Sequence, residues 1–166
     1  SITTPSFEAS DELWHYPFVK RLADGQGLPV QTADQIGPWR QEGSQPPLYY
    51  AAGALLTAWV DTSDMDTVRW LNPHADIGIP RTDRNANMVI HTDAERLPYH
   101  GTLLALHIVR WFSLLLGAIT VISAYLLARQ IFADELLALT TSALTAFNAM
   151  FLFITASVNN DAMVIS

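Results

Sequence analysis

In the second part of the chain two long apolar runs carry no charge: Trp111 to Ala128, 18 residues, and Leu136 to Val158, 23 residues. Each is long enough for a helix that crosses most or all of a hydrocarbon core about 30 Å thick. In the first run Trp111, Leu114, Leu115, Leu116, Ile119, Val121, Ile122 and Leu126 surround the helix axis. A buried helix of a soluble domain would keep a polar face, so this pattern predicts a transmembrane helix over 102–131. In the second run Asn148 and several Ser and Thr residues can bond to neighbouring helices or back to the backbone. A second span over 136–158 is therefore expected to face protein on one side. The segment 132–135 between them is a short turn, so the spans form an antiparallel hairpin. Two crossings return the chain to its starting face, and 159–166, with Asp161, then share a side with 1–101.

The first 101 residues read differently. They hold 7 Lys/Arg and 13 Asp/Glu, against 5 charged residues in the remainder. A helix is expected over about 7–23, with Ser10 or the stretch Glu8 to Ser10 as its start and Gly25 as its stop. Leu13, Trp14, Phe18 and Leu22 form its apolar stripe, and Pro17 is a point where it can bend. A second helix is expected over 46–60, opened by Pro46 and Pro47 and closed by Trp59 and Val60. It is too short to span, and its terminal aromatics suit a bilayer interface, so both helices are expected at a membrane surface; the core of a small globular domain is the alternative. The stretch from Asp61 to Gly101 is rich in Asp, Asn, Pro and Arg and reads as a long ordered or partly ordered loop.

Composition removes several classes of function. With no cysteine, disulfide frameworks, thiolate metal sites and cysteine nucleophiles are excluded. A formal charge of -7 excludes a nucleic-acid partner, because phosphate backbones are held by clustered Lys and Arg. Arg129 and Arg96 balance across the two faces of the hairpin, so charge does not orient it. The opening Ser1 to Pro5 carries neither Met nor a signal-peptide pattern, and the chain is expected to be a piece of a longer membrane protein.

Asp11, Glu12 and His15 are the strongest candidates for chemistry. Asp11 and His15 at i, i+4 project from one helix face, where a carboxylate and an imidazole can bind a cation or relay a proton. A solvated first turn whose acids favour the helix dipole is the competing explanation. The run resembles half of a zinc-protease helix but lacks the first His, which excludes that reading. Asp161 follows Asn159 and Asn160 where the second span emerges, and is either a solvated helix end or a carboxylate facing Asp11. Arg110, about two turns into the first span, must snorkel, pair with an acid or bind an anion such as a lipid phosphate. His74, His91, His100 and His107 are too scattered to form a metal set.

Four motifs then occur in a telling order: Ser10 to His15 (SDELWH), Gln45 to Tyr50 (QPPLYY), Arg110 with Phe112 to Gly117 and Tyr125 to Arg129, and Ser157 to Ala162 (SVNNDA). In that order and spacing the chain resembles multispanning GT-C glycosyltransferases of the family 39 type, relatives of protein mannosyltransferases and of the aminoarabinose transferases of lipid A. The resemblance runs from about Phe7 to Ile165.

It implies an all-α membrane protein: a two-span transmembrane helical hairpin plus an extracytoplasmic segment, 1–101, with two juxtamembrane amphipathic helices. The chain would be multi-pass in the cell membrane, with Asp161 also extracytoplasmic. Its activity would be transfer of a sugar from a polyprenyl-phosphate donor to an acceptor hydroxyl or amine. Asp11, with Glu12 beside it, matches the proposed catalytic position. Asp11 and Asp161 match positions that hold a divalent metal, Mg or Mn, in some members. Arg110, His15 and Tyr49 are the expected substrate contacts. Partners would be the bilayer, the lipid-linked donor and further transmembrane helices. As 166 residues alone the chain is not expected to be active. A two-span accessory subunit of a larger membrane complex, whose Gly117, Ala118, Ala124 and Ala128 are helix contacts, is the alternative. A receptor-like loop on a membrane hairpin has no positive feature in its favour.

Overall fold

A computed structural model describes residues 3–9, 11–32, 36–75 and 87–166. The helices are α1 (Glu12–Ala23), α2 (Leu48–Thr57), α3 (Met65–Val68), α4 (Gly101–Phe132), α5 (Glu135–Ala146), α6 (Ala149–Thr155) and α7 (Asp161–Val164), with 3-10 turns at Arg40–Ser44 and Asp93–Glu95. The protein is all-helical; among the described residues the only extended pairing of note is an isolated bridge between Leu71 and Val89.

α4 organises everything else. Its start is held by Asp64, whose Oδ1 accepts from the Thr102 amide at 2.9 Å and the Thr102 hydroxyl at 2.7 Å. An acid at this end also complements the helix dipole. Gly101 is required there twice over: its φ is +55°, and a Cβ would lie 2.3 Å from Asp64 Oδ2. At 32 residues α4 extends for about 48 Å, and it is long and apolar enough to cross a membrane. Its first half is buried along Leu103, Leu106, Val109, Arg110 and Ser113, whereas Leu115, Ile122, Leu127 and Ile131 beyond are exposed. It stops where Ala133 turns left-handed, and Asp134 then caps α5 by accepting from the Leu137 amide at 3.1 Å. The tight turn is clasped by Glu135, which pairs with Arg129 and accepts from the Tyr125 hydroxyl.

The second apolar run is not one continuous helix. It breaks at Phe147–Asn148, and α5 and α6 meet at 60°. The cause is local: the Asn148 side chain accepts from the amides of Met150 and Phe151 at 3.0 and 3.1 Å and so starts a new helix. Thr140, Thr141, Thr145 and Thr155 all bond back to carbonyls four residues earlier, which spends their polarity inside the segment rather than on neighbouring helices. α6 ends at Thr155, and residues 156–160 return to the first half of α4, where the Val158 amide donates to Glu12 Oε1 at 2.9 Å.

α1 differs from expectation in two ways. It begins at Glu12 rather than near Phe7; the expected start at Ser10 lies outside the described residues. Phe7 instead has φ +64° and is fully buried, its amide donating to Glu12 Oε2 at 3.0 Å. Glu8 cannot cap a helix because its carboxylate accepts from the amides of Met88 and Val89 and from His91, whose other ring nitrogen meets Glu95. α1 is also a core helix: Leu13, Trp14, Tyr16, Phe18 and Val19 are all buried, and its main neighbours are α2 and the 3-10 turn at Arg40–Ser44. Its apolar stripe is therefore turned into the protein core. Pro17 leaves the helix intact. The carbonyl it would otherwise satisfy, that of Leu13, accepts from Arg69 Nε at 2.9 Å.

α2 keeps one face inward, with Tyr49, Tyr50 and Ala54 buried, and one outward, with Leu48 and Leu55 exposed. Gly53 lets it pass close to both partners, since a Cβ there would meet Val19 at 3.3 Å and Val109 at 3.4 Å. An apolar cleft of about 600 Å³ runs between α2 and α4, lined by Leu55, Leu56, Ile108, Trp111, Phe112 and Leu115 among others.

Candidate functional site

The adjacent acids Asp11 and Glu12 have opposite fates. Glu12 lies fully buried against Arg110, which donates from Nε to Oε1 at 2.8 Å and from its terminal nitrogen to Oε2 at 2.5 Å. The same guanidinium donates to the carbonyls of Thr4 at 2.8 Å and Pro5 at 2.9 Å. Glu12 additionally accepts from the amides of Phe7 and Val158. A buried ion pair persists when its remaining donors and acceptors are also satisfied, as they are here. Of the three outcomes open to Arg110, pairing with an acid is the one observed, and the expected catalytic part for Glu12 is withdrawn. Arg110 does not snorkel or reach a ligand phosphate, and Glu12 has no free oxygen face for catalysis; both are locked into the core by one another.

Tyr49 is likewise internal. Its hydroxyl bonds Ser113 Oγ at 2.6 Å and accepts from the Asn159 amide at 3.2 Å. Burial pushes its ionisation upward, so it remains a neutral phenol. It is a strut between α2, α4 and the 156–160 return, which removes it from the expected substrate contacts.

Asp11 is different. It occupies the N-cap position of α1 without capping it, and it is exposed. One turn further along, His15 Nδ1 bonds the Tyr50 hydroxyl at 2.7 Å, and its Nε2 lies 3.7 Å from Glu42 Oε2. Glu42 comes from the 3-10 turn at Arg40–Ser44 and is only 4% exposed. Ligand atoms of Asp11, His15 and Glu42 all fall within 4.8 Å of one another. Asp161, exposed at the start of α7, is near enough that its charge acts on both Glu42 and Tyr50.

Electrostatics at the cluster follow from burial first. Desolvation lowers His15 to about 4, so the imidazole is neutral at physiological pH. Desolvation raises Glu42, and the nearby charges of Asp11 and Asp161 add to the rise. Tyr50 is raised by burial and by the Glu42 charge, and stays protonated. The cluster therefore gathers carboxylates and a neutral imidazole at the rim where α1, the 3-10 turn and α7 meet. Such a set can take a proton from a substrate or hold a cation.

Of the expected residues the fold brings together Asp11, His15 and Asp161, and withdraws Glu12, Arg110 and Tyr49 into the core. Glu42 and Tyr50 were not anticipated as site residues. Their one sequence signal is position, since they flank Gln45 to Pro47, whose own contact with the site runs through Asn160 Nδ2 to Gln45 Oε1 at 3.3 Å. His107, stacked on Tyr99 with ring centroids 4.0 Å apart, lies apart from the cluster.

No family model, curated protein or solved structure matches this chain.

Proposed function

We propose that this chain is part of an integral-membrane glycosyltransferase that moves a sugar from a polyprenyl-phosphate donor to an acceptor on the extracytoplasmic face. The observation that carries the reading is the exposed carboxylate of Asp11, set beside the buried His15 and Glu42 at the core end of an apolar 32-residue helix. In this reading α4 is one span and the bent pair α5–α6 a second. Residues 1–101 and Asp161 then share the extracytoplasmic side, supported by the return of Val158 and Asn159 to Glu12 and Tyr49. The cleft between α2 and α4 supports a lipid-linked substrate, because its lining is apolar.

The chemistry asks for a base and for stabilisation of a leaving phosphate. Asp11 accepts the proton of the acceptor hydroxyl as that oxygen attacks the anomeric carbon. The bond from that carbon to the phosphate oxygen breaks, and the lipid phosphate leaves with the electron pair. Glu12 and Arg110 position α1, and so Asp11, without touching substrate.

The test is Asp11→Asn in the full-length membrane protein, assayed in native membrane vesicles with a panel of radiolabelled polyprenyl-phosphate sugars. Transfer should fall by about 10²-fold or more while insertion and abundance are unchanged. Transfer at the unmodified rate would remove Asp11 from the reaction.

A further inference from the structure

We propose that His91 is a proton-operated clasp: doubly protonated, it straps residues 87–95 across the segment 6–8 that leads into α1, and loss of one proton opens one arm. The two stretches are joined by bonds between residues 80 to 89 positions apart. Glu8 Oε2 accepts from the Met88 amide at 3.0 Å, and Glu8 Oε1 accepts from the Val89 amide at 3.0 Å and meets His91 Nε2 at 3.1 Å. Glu95 Oε2 accepts from the Ser6 amide at 3.4 Å, while its Oε1 meets His91 Nδ1. One imidazole therefore sits with each ring nitrogen against a different carboxylate.

The count of donors makes this a switch. An ionised carboxylate only accepts, and a neutral imidazole has a single N–H, so it donates to one acid and turns a lone pair toward the other. The doubly protonated ring donates to both, and each bond is then charge-assisted. Other charges nearby are already engaged. Arg96, on the turn that carries Glu95, pairs with Asp93 at 3.0 Å, and their side chains are 81% and 88% exposed. Arg110 is bound to Glu12 and to the carbonyls of Thr4 and Pro5. Residues 70–72 also hold the strap, through bonds from the Ile90 amide to the Trp70 carbonyl at 2.8 Å and from the Asn72 amide to the Met88 carbonyl at 3.0 Å, and carry no charge.

The position of the clasp gives the switch something to act on. Segment 6–8 runs directly into α1, where the Phe7 amide donates to Glu12 Oε2 at 3.0 Å and the Glu12 amide to the Ala9 carbonyl at 3.0 Å. Arg110 grips the carbonyls just before this segment, and the strap grips the segment itself. The side chains of His91, Glu8 and Glu95 are 23%, 15% and 20% exposed, so they are shielded from bulk screening yet within reach of solvent protons. Closure is complete while His91 holds both protons and weakens as rising pH removes one; Glu8 and Glu95 stay ionised throughout that change. The clasp thus sets how firmly the entry to α1, and Asp11 with it, is held, and it does not rest on the glycosyltransferase reading.

The experiment is amide hydrogen exchange of the full-length protein in detergent, read by mass spectrometry between about pH 5.5 and about pH 8.5 and corrected for the intrinsic pH dependence of exchange. Peptides covering 3–9 and 87–96 should lose protection by about 10-fold or more as the pH rises, while peptides from the buried half of α4 keep theirs. His91→Gln has one N–H and does not titrate, so its protection in both stretches should be independent of pH and match the alkaline level of the unmodified protein. Glu95→Gln removes one of the two anions, lets the neutral ring serve the remaining one, and should likewise flatten the pH dependence. Protection in the unmodified protein that does not change with pH would overturn the clasp, and this arm needs no variant to fold. A pH dependence that persists undiminished in His91→Gln or in Glu95→Gln would overturn the assignment to this imidazole and its two acids.

Discussion

Glu12 and Arg110, 98 positions apart, meet through two hydrogen bonds of 2.8 and 2.5 Å with neither side chain exposed. This one contact joins the start of α1 to the middle of α4's buried half. Because Glu12 also accepts from the amides of Phe7 and Val158, three segments distant in sequence depend on it.

Breaking that pair leaves an uncompensated buried charge. Glu12→Gln and Arg110→Met are each expected to cost about 3–5 kcal/mol of stability. Arg110→Lys should fall in the same direction, since an ammonium cannot reproduce the fork to Glu12 and the bonds to Thr4 and Pro5. Thermal unfolding in detergent checks this. A Glu12→Gln protein as stable as the original would mean that the pair is not structural.

Stability should fall on acidification through the histidine range. His15 is depressed from 6.5 to about 4 in the fold, so between those values the unfolded chain binds the proton and the native state does not. That contribution is complete above pH 6.5 and is lost as the pH falls toward 4, amounting to roughly 3 kcal/mol. Glu42 works in the opposite direction, because its raised value lets the native state take a proton earlier than the unfolded chain does. His15→Gln should therefore flatten or reverse the acid slope. Denaturant titrations from pH 4 to 7 read both; an unchanged slope in His15→Gln would contradict the assignment.

The contact of α4 with α6 is equally specific. A Cβ at Gly117 would lie 2.8 Å from Thr155 Cγ2 and 3.0 Å from Thr155 Cβ. Gly117→Ala should destabilise by about 1–3 kcal/mol through overpacking. Thr155→Ser removes the clashing methyl while keeping the hydroxyl that bonds the Phe151 carbonyl. The double variant should recover most of the loss. Additive losses in the double variant would show that the two residues do not touch.

The chain contains no cysteine, which makes single-cysteine labelling clean for this segment. In the two-span reading, Ala133→Cys at the turn should react with a membrane-impermeant maleimide only from the cytoplasmic side. Asp61→Cys, on an exposed stretch of the first 101 residues, should react only from the opposite side. Labelling of both from one side would refute a crossing by α4.

The sequence by itself determined the elements whose causes are local. An uncharged run of 18 residues with apolar side chains all round its axis is enough to place α4, because hydrophobicity on every side of a helix is a local signal. The short turn at 132–135 and the approximate places of α1 and α2 follow from equally local signals. The break at Asn148 was present as a residue but not as a boundary: the same side chain serves a buried polar contact or an N-cap, and which it does depends on where the helix partners lie.

Tertiary structure alone decided which acid is free. Asp11 and Glu12 are neighbours with the same charge, and nothing local separates a carboxylate that faces solvent from one that faces Arg110 98 residues later. It also decided that Glu42 and Tyr50 join His15, since side chains 27 and 35 positions away reach the same imidazole only after α2 and the 3-10 turn pack on α1. Long-range pairing of polar groups is driven by the cost of leaving them unsatisfied once the apolar core has closed, and that cost exists only in three dimensions.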